Sequence, residues 1–590
     1  MDAFAGLELQ PAARTVLARK YLQPGEVEVD DVLRRVARAL AAPEPAASCD
    51  AQETAFLHAM RAGLLPAGRI LATAGTGASA ALASCFVQPV GDSIFHTEGG
   101  HPGIYVALAE ATETMRRGGG VGYDFSRIRP RGCRVAGTGG VASGPLSFLQ
   151  LFEHSAATIQ GSGARSGAQM AVLRCDHPDI EAFMDAKEAG GLVHFNLSVS
   201  LTDAFVQAAQ ADAPWPLVHR VEPGRPGAAR RADGQWVHAV VRARALLDRL
   251  ARQACDHGDP GVLFLDTIAR ENALADLESI AAANPCGEQP LPPYGSCCLA
   301  SIDLTRLVRR PFGPDAALDA QALADLTRTG VRMLDNALEL SAWPLPAQRD
   351  EARATRRIGL GFTGLADALA MLGLRYGSPA SCTLAAHVAE TMRDAACSAS
   401  IDLAAERGAF PRFDAHRYLE AGAHTARLPT ALRERIRVHG LRHSHRLALA
   451  PAGSISLALA DNASPGIEPV FAWQARRRLR TGLAACTEPG PEVVEDRAWR
   501  LWRALRGARS PLPEAFVTAR DLAPQAQLAV VAAVAPFIDG GIAKTVQLGP
   551  QASPVQVGDA LVQAWRAGLK GLTFFRANPV TGAALEPLSP

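Results

Sequence analysis

The stretch NPCGEQPLPPYGSCC, residues 284–298, gathers three cysteines and a glutamate into one segment rich in proline and glycine. Cys286 lies between a proline and a glycine, a setting that favours an exposed turn over a packed strand. Asn284 lies two residues before it and Glu288 two residues after it, so an extended loop presents the three side chains on one face. A thiol beside a carboxylate that can act as a general base is a reactive group. Cys297 adds a second thiol, which favours a reduction that cycles through a disulfide.

The composition favours a large globular enzyme. The chain has 590 residues, 48% of them hydrophobic, which is enough apolar material for a large core. Its 60 basic and 59 acidic residues give no electrostatic case for a nucleic-acid or membrane partner. The N-terminus has no signal-peptide pattern, and the longest apolar run, Leu528 to Ile538, is too short to span a bilayer. With eleven cysteines, an odd number, these features predict a cytoplasmic protein whose thiols are mostly reduced.

The order of sequence patterns predicts an α/β protein that begins with helices. Residues 26–45 carry apolar side chains at helical spacing until Pro43 ends the pattern. From about Leu65, short apolar runs between glycine-rich turns alternate with helical stretches, which favours an α/β core with parallel strands. Residues 213–236 are rich in Pro, Gly and Arg and predict an excursion between elements. The expected domains are a helical region at residues 1–64, the α/β domain at residues 65–576 and a short loose tail without cysteines at residues 577–590.

Several other signatures were weighed against simpler interpretations. GLGFTG, Gly359 to Gly364, matches the dinucleotide-binding fingerprint, but no buried strand is expected before it and a helix start is the simpler interpretation. The chain has neither HExxH nor paired CxxC motifs, so no metal site is expected. The turn PAGS leads from Pro451 into an apolar stretch and predicts an anion cradle of backbone N–H groups, with a plain helix cap by Ser454 as the alternative.

A series of segments in a fixed order covers roughly residues 60–576. They are GRILATAGT with SCFV, RRGGGVGYDFSRIRPRG, ASGPLSF, HPDIEAFMDAK, FNLSVSLTDAF, GDPGVLFLD, NPCGEQPL with SCCLASIDL, RRIGLGFTGLAD, PAGSIS with SPGIEP, and GIAKTV. In these segments the chain resembles the adenosylcobalamin-dependent (class II) ribonucleotide reductases. The resemblance implies a ten-stranded α/β barrel of two five-stranded parallel halves, with a central finger loop and an N-terminal helical region. It also implies reduction of ribonucleotides, diphosphates being expected, by thiyl-radical chemistry.

The resemblance assigns the cysteines of the opening stretch. Cys286 would be the thiyl-radical cysteine at the tip of the finger loop, Glu288 would accept a proton from the substrate, and Asn284 would hydrogen-bond it. Cys85 and Cys297 would be the dithiol that supplies electrons. The neighbouring third cysteine, at a position where relatives usually carry another residue, receives no role. Implied substrate contacts are Ser84, Gly120, Pro451, Ala452, Gly453, Ser454 and Ile455, and implied effector contacts are Asp92, Ser93 and Arg127.

The cofactor and partners follow from the same resemblance. Adenosylcobalamin is the expected radical source, and Phe574 and Phe575 stand where a long-range relay would need tyrosines, so such a relay through this point is excluded. The expected partners are a ribonucleotide substrate, a deoxynucleotide effector and a thioredoxin-like or small-thiol reductant, without nucleic acid or membrane. Monomer and homodimer both stay open. The short N-terminus leaves no room for an ATP-cone, so on–off regulation by ATP and dATP is not expected.

Three departures from the family pattern bear on these expectations. The last cysteine is Cys486, whereas relatives commonly end in a cysteine pair, so direct re-reduction by a thiol or redoxin, or by a tail on another chain, is expected. Ala452 stands where relatives often carry Thr, which predicts weaker substrate binding, and Ser166 stands where a second Arg is common, which predicts altered specificity control. These departures keep a degenerate, non-catalytic nucleotide-binding paralogue as the alternative. A glycyl-radical enzyme is disfavoured, because LKGLTFFRANP does not resemble a glycyl-radical loop.

Overall fold

A computed structural model describes residues 7–135, 137–159, 167–188, 190–224, 227–477, 492–577 and 585–588. The strands in this part of the chain are β1 (Leu64–Pro66), β2 (Cys85–Val87), β3 (Gly120–Asp124), β4 (Gln169–Arg174), β5 (Phe195–Leu201), β6 (Pro214–His219), β7 (Trp236–Arg242), β8 (Gly261–Phe264), β9 (Ala282–Ala283), β10 (Pro290–Leu291), β11 (Ser296–Asp303), β12 (Val308–Arg309), β13 (Ala317–Leu318), β14 (Ile358–Thr363), β15 (Gln474–Arg477), β16 (Glu492–Glu495), β17 (Thr545–Leu548), β18 (Gly571–Arg576) and β19 (Leu585–Pro587).

Helices alternate with these strands along most of the chain. They are α1 (Pro11–Lys20), α2 (Val29–Ala41), α3 (Cys49–Arg61), α4 (Gly68–Thr73), α5 (Ile104–Arg116), α6 (Pro145–Thr158), α7 (Ile180–Met184), α8 (Asp203–Gln210), α9 (Ala243–His257), α10 (Leu265–Glu271), α11 (Ala320–Leu340), α12 (Pro346–Thr355), α13 (Leu365–Met371), α14 (Pro379–Arg407), α15 (Ala415–Glu420), α16 (Ala423–Ala426), α17 (Thr430–His439), α18 (Gly453–Leu459), α19 (Arg497–Arg506), α20 (Pro524–Val534) and α21 (Pro554–Arg566).

One ten-stranded sheet organises the molecule, in the order β1-β11-β2-β3-β4-β5-β8-β18-β17, with β14 also paired to β11. The five strands β2, β3, β4, β5 and β8 run parallel to one another. β11 pairs in parallel with β14, and β17 with β18, while antiparallel pairs join β11 to β2 and β18 to β8. All eight residues of β11 are buried, as is typical of strands covered on both faces. The predicted α/β class is confirmed.

Hydrogen bonds continue beyond the ten strands, towards the segment that precedes β17. Leu360 of β14 forms a parallel bridge with Leu447, and Leu449 forms a second parallel bridge with Ile542. The bonds around these bridges are regular: the amide of Leu360 lies 2.9 Å from the carbonyl oxygen of Arg446, and the amide of Leu449 lies 3.0 Å from that of Gly541. Residues 447–449 therefore lie between β14 and residues 541–543.

The two ends of the chain and the predicted excursion have definite places. Within residues 26–45, α2 begins with a capping box formed by Glu28 and Asp31. The preceding helix, α1, contacts α18. The predicted excursion, residues 213–236, contains β6 and ends at the first residue of β7. β6 and β7 pair as an antiparallel hairpin with an irregularity at Leu217 and Val218. In the tail, β19 pairs with β15. No helix in the described part of the chain is long and apolar enough to cross a membrane.

Candidate active site

The cysteine-rich stretch forms a short hairpin, which we call the interior hairpin: β9, residues 284–289 and β10. Ala283 pairs with Pro290 at its base. Asn284 closes the loop twice, because its amide nitrogen donates to the carbonyl of Gln289 at 3.0 Å and its side-chain oxygen accepts from the amide of Gln289 at 2.9 Å. Gly287 adopts φ +82°, a left-handed conformation that suits glycine. The exposed Cys286 therefore lies at the tip of a tight loop.

Glycines in the surrounding sheet let this hairpin approach closely. A methyl group at Gly122 of β3 would lie 1.7 Å from the carbonyl oxygen of Ala283, and one at Gly120 would lie 3.1 Å from the ring of Pro285. On another side, the amide of Gly541 donates to the carbonyl of Glu288 at 2.8 Å. The glycines of the GGGVGYD segment thus make room for the hairpin. The sequence analysis did not identify Gly122, although a glycine inside a strand is a signal of close backbone approach.

The glycines of GLGFTG have a similar use. Gly359 and Gly361 lie inside β14, whereas Gly364 follows the strand and directly precedes α13, which begins at Leu365. A methyl group at Gly359 would lie 2.5 Å from the side-chain nitrogen of Gln289 in the interior hairpin, and one at Gly361 would lie 2.4 Å from the carbonyl oxygen of Ala448. The helix start at Leu365 agrees with the simpler interpretation of this motif.

Three of the predicted catalytic side chains, those of Asn284, Glu288 and Cys85, meet at the interior hairpin. The side-chain nitrogen of Asn284 lies 3.1 Å from the sulfur of Cys85, and that sulfur lies 3.7 Å from a carboxylate oxygen of Glu288. Asn284 and Glu288 are both buried. The amide, the carboxylate and the thiol therefore form one contiguous polar group inside the sheet.

Cys85 and Cys297 face each other across two antiparallel strands. Cys85 of β2 and Cys297 of β11 are direct partners in the register. Opposed residues of an antiparallel pair have Cα atoms about 4.5–5.5 Å apart, and a disulfide needs about 4.4–6.8 Å. Both are present as thiols. The register therefore brings two thiols together at a separation that a disulfide can bridge.

Cys298 points the other way, because successive side chains of a strand alternate. It packs in the large hydrophobic core, whereas Cys85 and Cys297 pack together in a smaller cluster with residues of the interior hairpin. Burial raises the pKa of the Cys298 thiol to about 12 and holds that of Cys297 well above its usual range. Cys298 is thus separated from the cluster by the strand itself.

A cavity of about 610 Å³ opens over this cluster, and we call it the first cavity. It contains most of the predicted site residues: Ser84, Cys85, Gly120, Asn284, Cys286, Glu288, Pro451, Ala452, Gly453, Ser454 and Ile455. Cys297 is fully buried behind Cys85 and is not part of the lining. Ala452 has φ +55° and is the residue from which α18 starts.

Two basic residues at the mouth of the first cavity were missed by the sequence analysis. Arg19 and Lys20 end α1 and line the cavity. The ammonium of Lys20 lies 3.3 Å from the hydroxyl oxygen of Ser454, at the predicted anion cradle. The two residues are separated by more than 400 positions in the chain. No local pattern could have paired them.

A second cavity, of about 270 Å³, meets Cys286 from another direction. Pro285, Cys286 and Pro451 line both cavities. The remaining lining comes largely from β5, β8, β17 and β18 and includes the polar side chains of Asn196, Ser198, Glu468, Lys544, Thr545, Gln547 and Thr573. Asn196 also donates to the carbonyl of Pro285 at 2.8 Å. Cys286 thus lies in the wall between two cavities.

The predicted effector residues lie outside both cavities. The carboxylate of Asp92 accepts from the amide of Arg129 at 2.7 Å and forms an ion pair with its guanidinium at 3.0 Å. The hydroxyl of Ser93 accepts from the amide of His96 at 3.1 Å, and Arg127 is half-buried nearby in the chain. Ser166 and Cys486 lie outside the described residues. No group of three His, Cys, Asp or Glu side chains suited to a metal ion occurs among the described residues.

A dithiol next to an exposed cysteine and a buried carboxylate, inside a ten-stranded α/β sheet, is the arrangement expected of an oxidoreductase that works through thiols. The family model described as "Ribonucleotide reductase, barrel domain" matches residues 83–575. That match includes most of the chain, and the chain belongs to the ribonucleotide reductase family.

Curated relatives agree with this assignment. A vitamin B12-dependent ribonucleoside-diphosphate reductase of Mycobacterium tuberculosis (strain CDC 1551 / Oshkosh) is 37% identical over 99% of this chain and 82% of its own length. A protein of the same name from Thermoplasma acidophilum is 31% identical over 85% of this chain and 62% of its own. A vitamin B12-dependent ribonucleotide reductase of Streptomyces coelicolor is 26% identical over 87% of this chain and 58% of its own.

Proposed function

We propose that this chain is a vitamin B12-dependent ribonucleotide reductase, which converts ribonucleotides, diphosphates foremost, to 2′-deoxyribonucleotides. The relatives above carry this activity in their names, and the first of them is similar to the chain along almost its whole length. The observation that carries the proposal is the convergence of Cys286, Glu288, Asn284 and Cys85 on one cavity, with Cys297 directly opposite Cys85.

The sheet would close into a barrel around the interior hairpin. One half is the parallel set β2, β3, β4, β5 and β8, and the other consists of β11, β14, residues 447–449, β17 and β18. The bridges from Leu360 to Leu447 and from Leu449 to Ile542 support this closure, because they span the gap between β14 and the segment before β17. The interior hairpin is then the finger loop, and it carries Cys286 to the centre of the barrel.

The first cavity would hold the ribonucleotide. Its volume lies in the range of cavities that enclose small-molecule ligands, about 300–1,000 Å³. The diphosphate would lie at the turn from Pro451 to Ile455, where α18 begins and where Lys20 contacts Ser454. A cationic side chain at a helix start favours an anion. The ribose would then lie over Cys286 and Cys85.

The proposed reaction gives each of these side chains one task. Cys286, as a thiyl radical, removes the 3′ hydrogen of the ribose, and Glu288 accepts the proton of the 3′ hydroxyl. The 2′ hydroxyl leaves as water with a proton from the dithiol, and Asn284 holds the substrate by hydrogen bonds. Cys85 and Cys297 together give two electrons and two hydrogens, one released in the water and one bonded to the 2′ carbon, and become a disulfide. Glu288 gives its proton back to the 3′ oxygen. Cys286 then returns the hydrogen to the 3′ carbon.

The second cavity would serve the cofactor. Its residues fit a polar group of about nucleoside size, because Asn196, Lys544 and Gln547 line it and Cys286 lies at its wall. Adenosylcobalamin, when bound, supplies a radical by homolysis of its cobalt–carbon bond. Cys286 lines both cavities, so its thiol would face the cofactor in the second cavity and the substrate in the first. Glu468 holds Lys544 in an ion pair, which orients its ammonium group.

Regulation and re-reduction are part of the same proposal. Asp92, Ser93 and Arg127 would bind a deoxynucleotide effector, and the Asp92–Arg129 ion pair supports a fixed geometry for that segment. The contact would be shared with a second copy in a homodimer. A thioredoxin-like protein or a small thiol would reduce the disulfide, which Cys85 makes reachable from the first cavity.

Deoxynucleotide formation by the purified chain tests the proposal. The assay uses ribonucleoside diphosphates, dithiothreitol and a mixture of effectors, with and without adenosylcobalamin. We expect product that depends on the cofactor, is lost in Cys286→Ser and is kept in the matched variant Cys298→Ala. A folded, nucleotide-binding chain that forms no product would instead favour the degenerate paralogue.

A further inference from the structure

The two sulfurs of the dithiol are not equally accessible. Cys85 lines the first cavity and is 3% exposed, whereas Cys297 is 0% exposed and lies behind it. Thiol–disulfide exchange needs an attacking thiolate to reach one of the two sulfur atoms. In a Cys85–Cys297 disulfide, a reductant that enters the first cavity therefore meets the sulfur of Cys85. The sulfur of Cys297 becomes the leaving group.

Arg357 lies beside the buried sulfur. Cys298 pairs with Ile358 in the parallel register of β11 and β14, so Cys297 and Arg357 are the residues one step before this pair. Side chains alternate along both strands, and these two residues therefore share one face. Gly359, two residues further on and on the same face, approaches Gln289 of the interior hairpin. The face that carries Arg357 is thus the face towards the hairpin.

Arg357 is buried and ion-paired, but one of its N–H groups has no acceptor in the described part of the chain. Its side chain is 2% exposed and forms an ion pair with the buried carboxylate of Glu278. A carboxylate oxygen of Glu351 lies 3.5 Å away, but that carboxylate also pairs with Arg412 at 2.8 Å. The Nε atom of Arg357 has no hydrogen-bond partner among the described residues. The unpaired N–H leaves Arg357 a hydrogen-bond donor that an anion nearby could accept from.

The groups around Cys297 shift the pKa of its thiol in opposite directions. Burial is the largest cause and raises the pKa of Cys297, and Cys298, Glu288 and Asp539 raise it further. Arg357 lowers that pKa. A thiolate formed at Cys297 would therefore find its favourable electrostatic partner in Arg357.

We infer that Arg357 is a positioning residue for re-reduction of the active-site disulfide, in which it stabilises the Cys297 thiolate while a dithiol attacks Cys85. This inference rests on the proposed function, because that function forms the disulfide. It assigns different tasks to the two cysteines: Cys85 accepts the incoming sulfur, and Cys297 departs as an anion.

Reduction of the Cys85–Cys297 disulfide takes two thiol–disulfide exchange steps. One thiolate of an external dithiol attacks the sulfur of Cys85, a new sulfur–sulfur bond forms, and the bond to Cys297 breaks with its electron pair left on Cys297. The second thiolate of the reductant then displaces Cys85. The reductant has lost two electrons and become a disulfide. The two protons of its thiol groups end on Cys85 and Cys297.

The rate of disulfide reduction in the full-length oxidised chain tests the role of Arg357. Dithiothreitol is the reductant, and alkylation followed by mass spectrometry counts the Cys85–Cys297 disulfide that remains. The double variant Arg357→Gln/Glu278→Gln removes both partners of the ion pair, so no buried carboxylate is left uncompensated. We expect reduction to slow about tenfold, because a less stable leaving thiolate departs more slowly.

Two further variants separate electrostatics from structure. Arg357→Lys keeps the charge and should retain most of the wild-type rate. Arg356→Gln, at the adjacent position, removes a buried arginine that acts on Cys298 instead and should leave the rate unchanged. Wild-type rates in the double variant, or equal slowing in Arg357→Lys and Arg356→Gln, would overturn the inference.

The direction of attack has its own readout. In the reduced chain, Cys85 of the Cys297→Ser variant should react rapidly with an aromatic disulfide reagent, while Cys297 of the Cys85→Ser variant should react many times more slowly. Equal reactivity of the two thiols would also overturn the inference. Neither assay uses nucleotide turnover. A failure of the proposed function, which is an absence of deoxynucleotide product, is therefore distinguishable from a failure here.

Discussion

Two hairpins of this molecule differ in how closely other strands contact their backbones. The interior hairpin is short, and its backbone is held on both sides of the tip: Gly122 of β3 approaches Ala283, and Gly541 before β17 bonds Glu288. The hairpin of β6 and β7 lies at the surface, where β7 is half-exposed along most of its length. A methyl group at Gly224, in its connecting segment, would meet no atom of the described residues within 4 Å. The candidate active site thus lies where contacts with other strands, rather than the loop itself, determine the backbone conformation.

Gly122→Ala should displace the interior hairpin and cause the largest loss of activity. The added methyl group would lie 1.7 Å from the carbonyl oxygen of Ala283, so the hairpin has to shift. A displacement of about 1 Å at reacting groups can cost about a hundredfold in rate. We expect at least that loss in kcat, measured as deoxynucleotide formation, together with a lower Tm.

Gly224→Ala is the matched change in the surface hairpin. It should leave activity and Tm near the wild-type values, because the new methyl group has open space around it. If the two alanine variants lost activity equally, the contrast between the hairpins would be wrong.

Lys20→Ala should have an intermediate effect that is confined to binding. Its ammonium lies at the predicted phosphate turn, 3.3 Å from Ser454, and hydrogen bonds to charged groups contribute about 1.5–3 kcal/mol. We expect KM for the ribonucleotide to rise about tenfold or more, with kcat changed much less. Arg231→Ala, which removes an exposed cation from the surface hairpin, is the control and should leave KM unchanged. A fall in kcat alone for Lys20→Ala would contradict the assignment.

Acid should destabilise the surface hairpin through His219 and its neighbour His177, which is an effect on stability rather than on activity. Burial lowers the pKa of His219 to about 3 and that of His177, whose ring meets it edge-to-face, to about 4. The unfolded chain has the ordinary value of 6.5, so it binds more protons than the folded chain between these values. Stability is therefore retained above pH 6.5 and lost as the pH falls below it, by about 2 kcal/mol per histidine near pH 5.

Hydrogen exchange can locate this loss. Between neutral pH and about pH 5, amides of β6 and β7 should lose protection before those of β9 and β10, after correction for the intrinsic exchange rates. His219→Phe should reduce the difference. Equal loss in both hairpins would show that the histidines do not control the acid response.

Features that depend on residues close together in the chain could be predicted from the sequence. The α/β class follows from alternating patterns, and the reactive loop follows from Asn284, Cys286 and Glu288, because these residues are neighbours in the chain. The pairing of Lys20 with Ser454 could not be predicted, since it depends on how α1 packs against α18. Gly122 was missed for a similar reason: its constraint comes from Ala283, on a distant strand. The partners of Arg357 likewise appear only once β11 and β14 are paired.

A single-turnover experiment tests directly whether Cys85 and Cys297 supply the electrons for ribonucleotide reduction. The reduced chain is mixed with adenosylcobalamin, effector and a ribonucleoside diphosphate, without external reductant, and both the deoxynucleotide and the cysteine oxidation state are measured. The account predicts about one deoxynucleotide per chain, matched by a disulfide between Cys85 and Cys297 while Cys298 stays a thiol. Product formed without that disulfide, or with a disulfide to Cys298 instead, would contradict it.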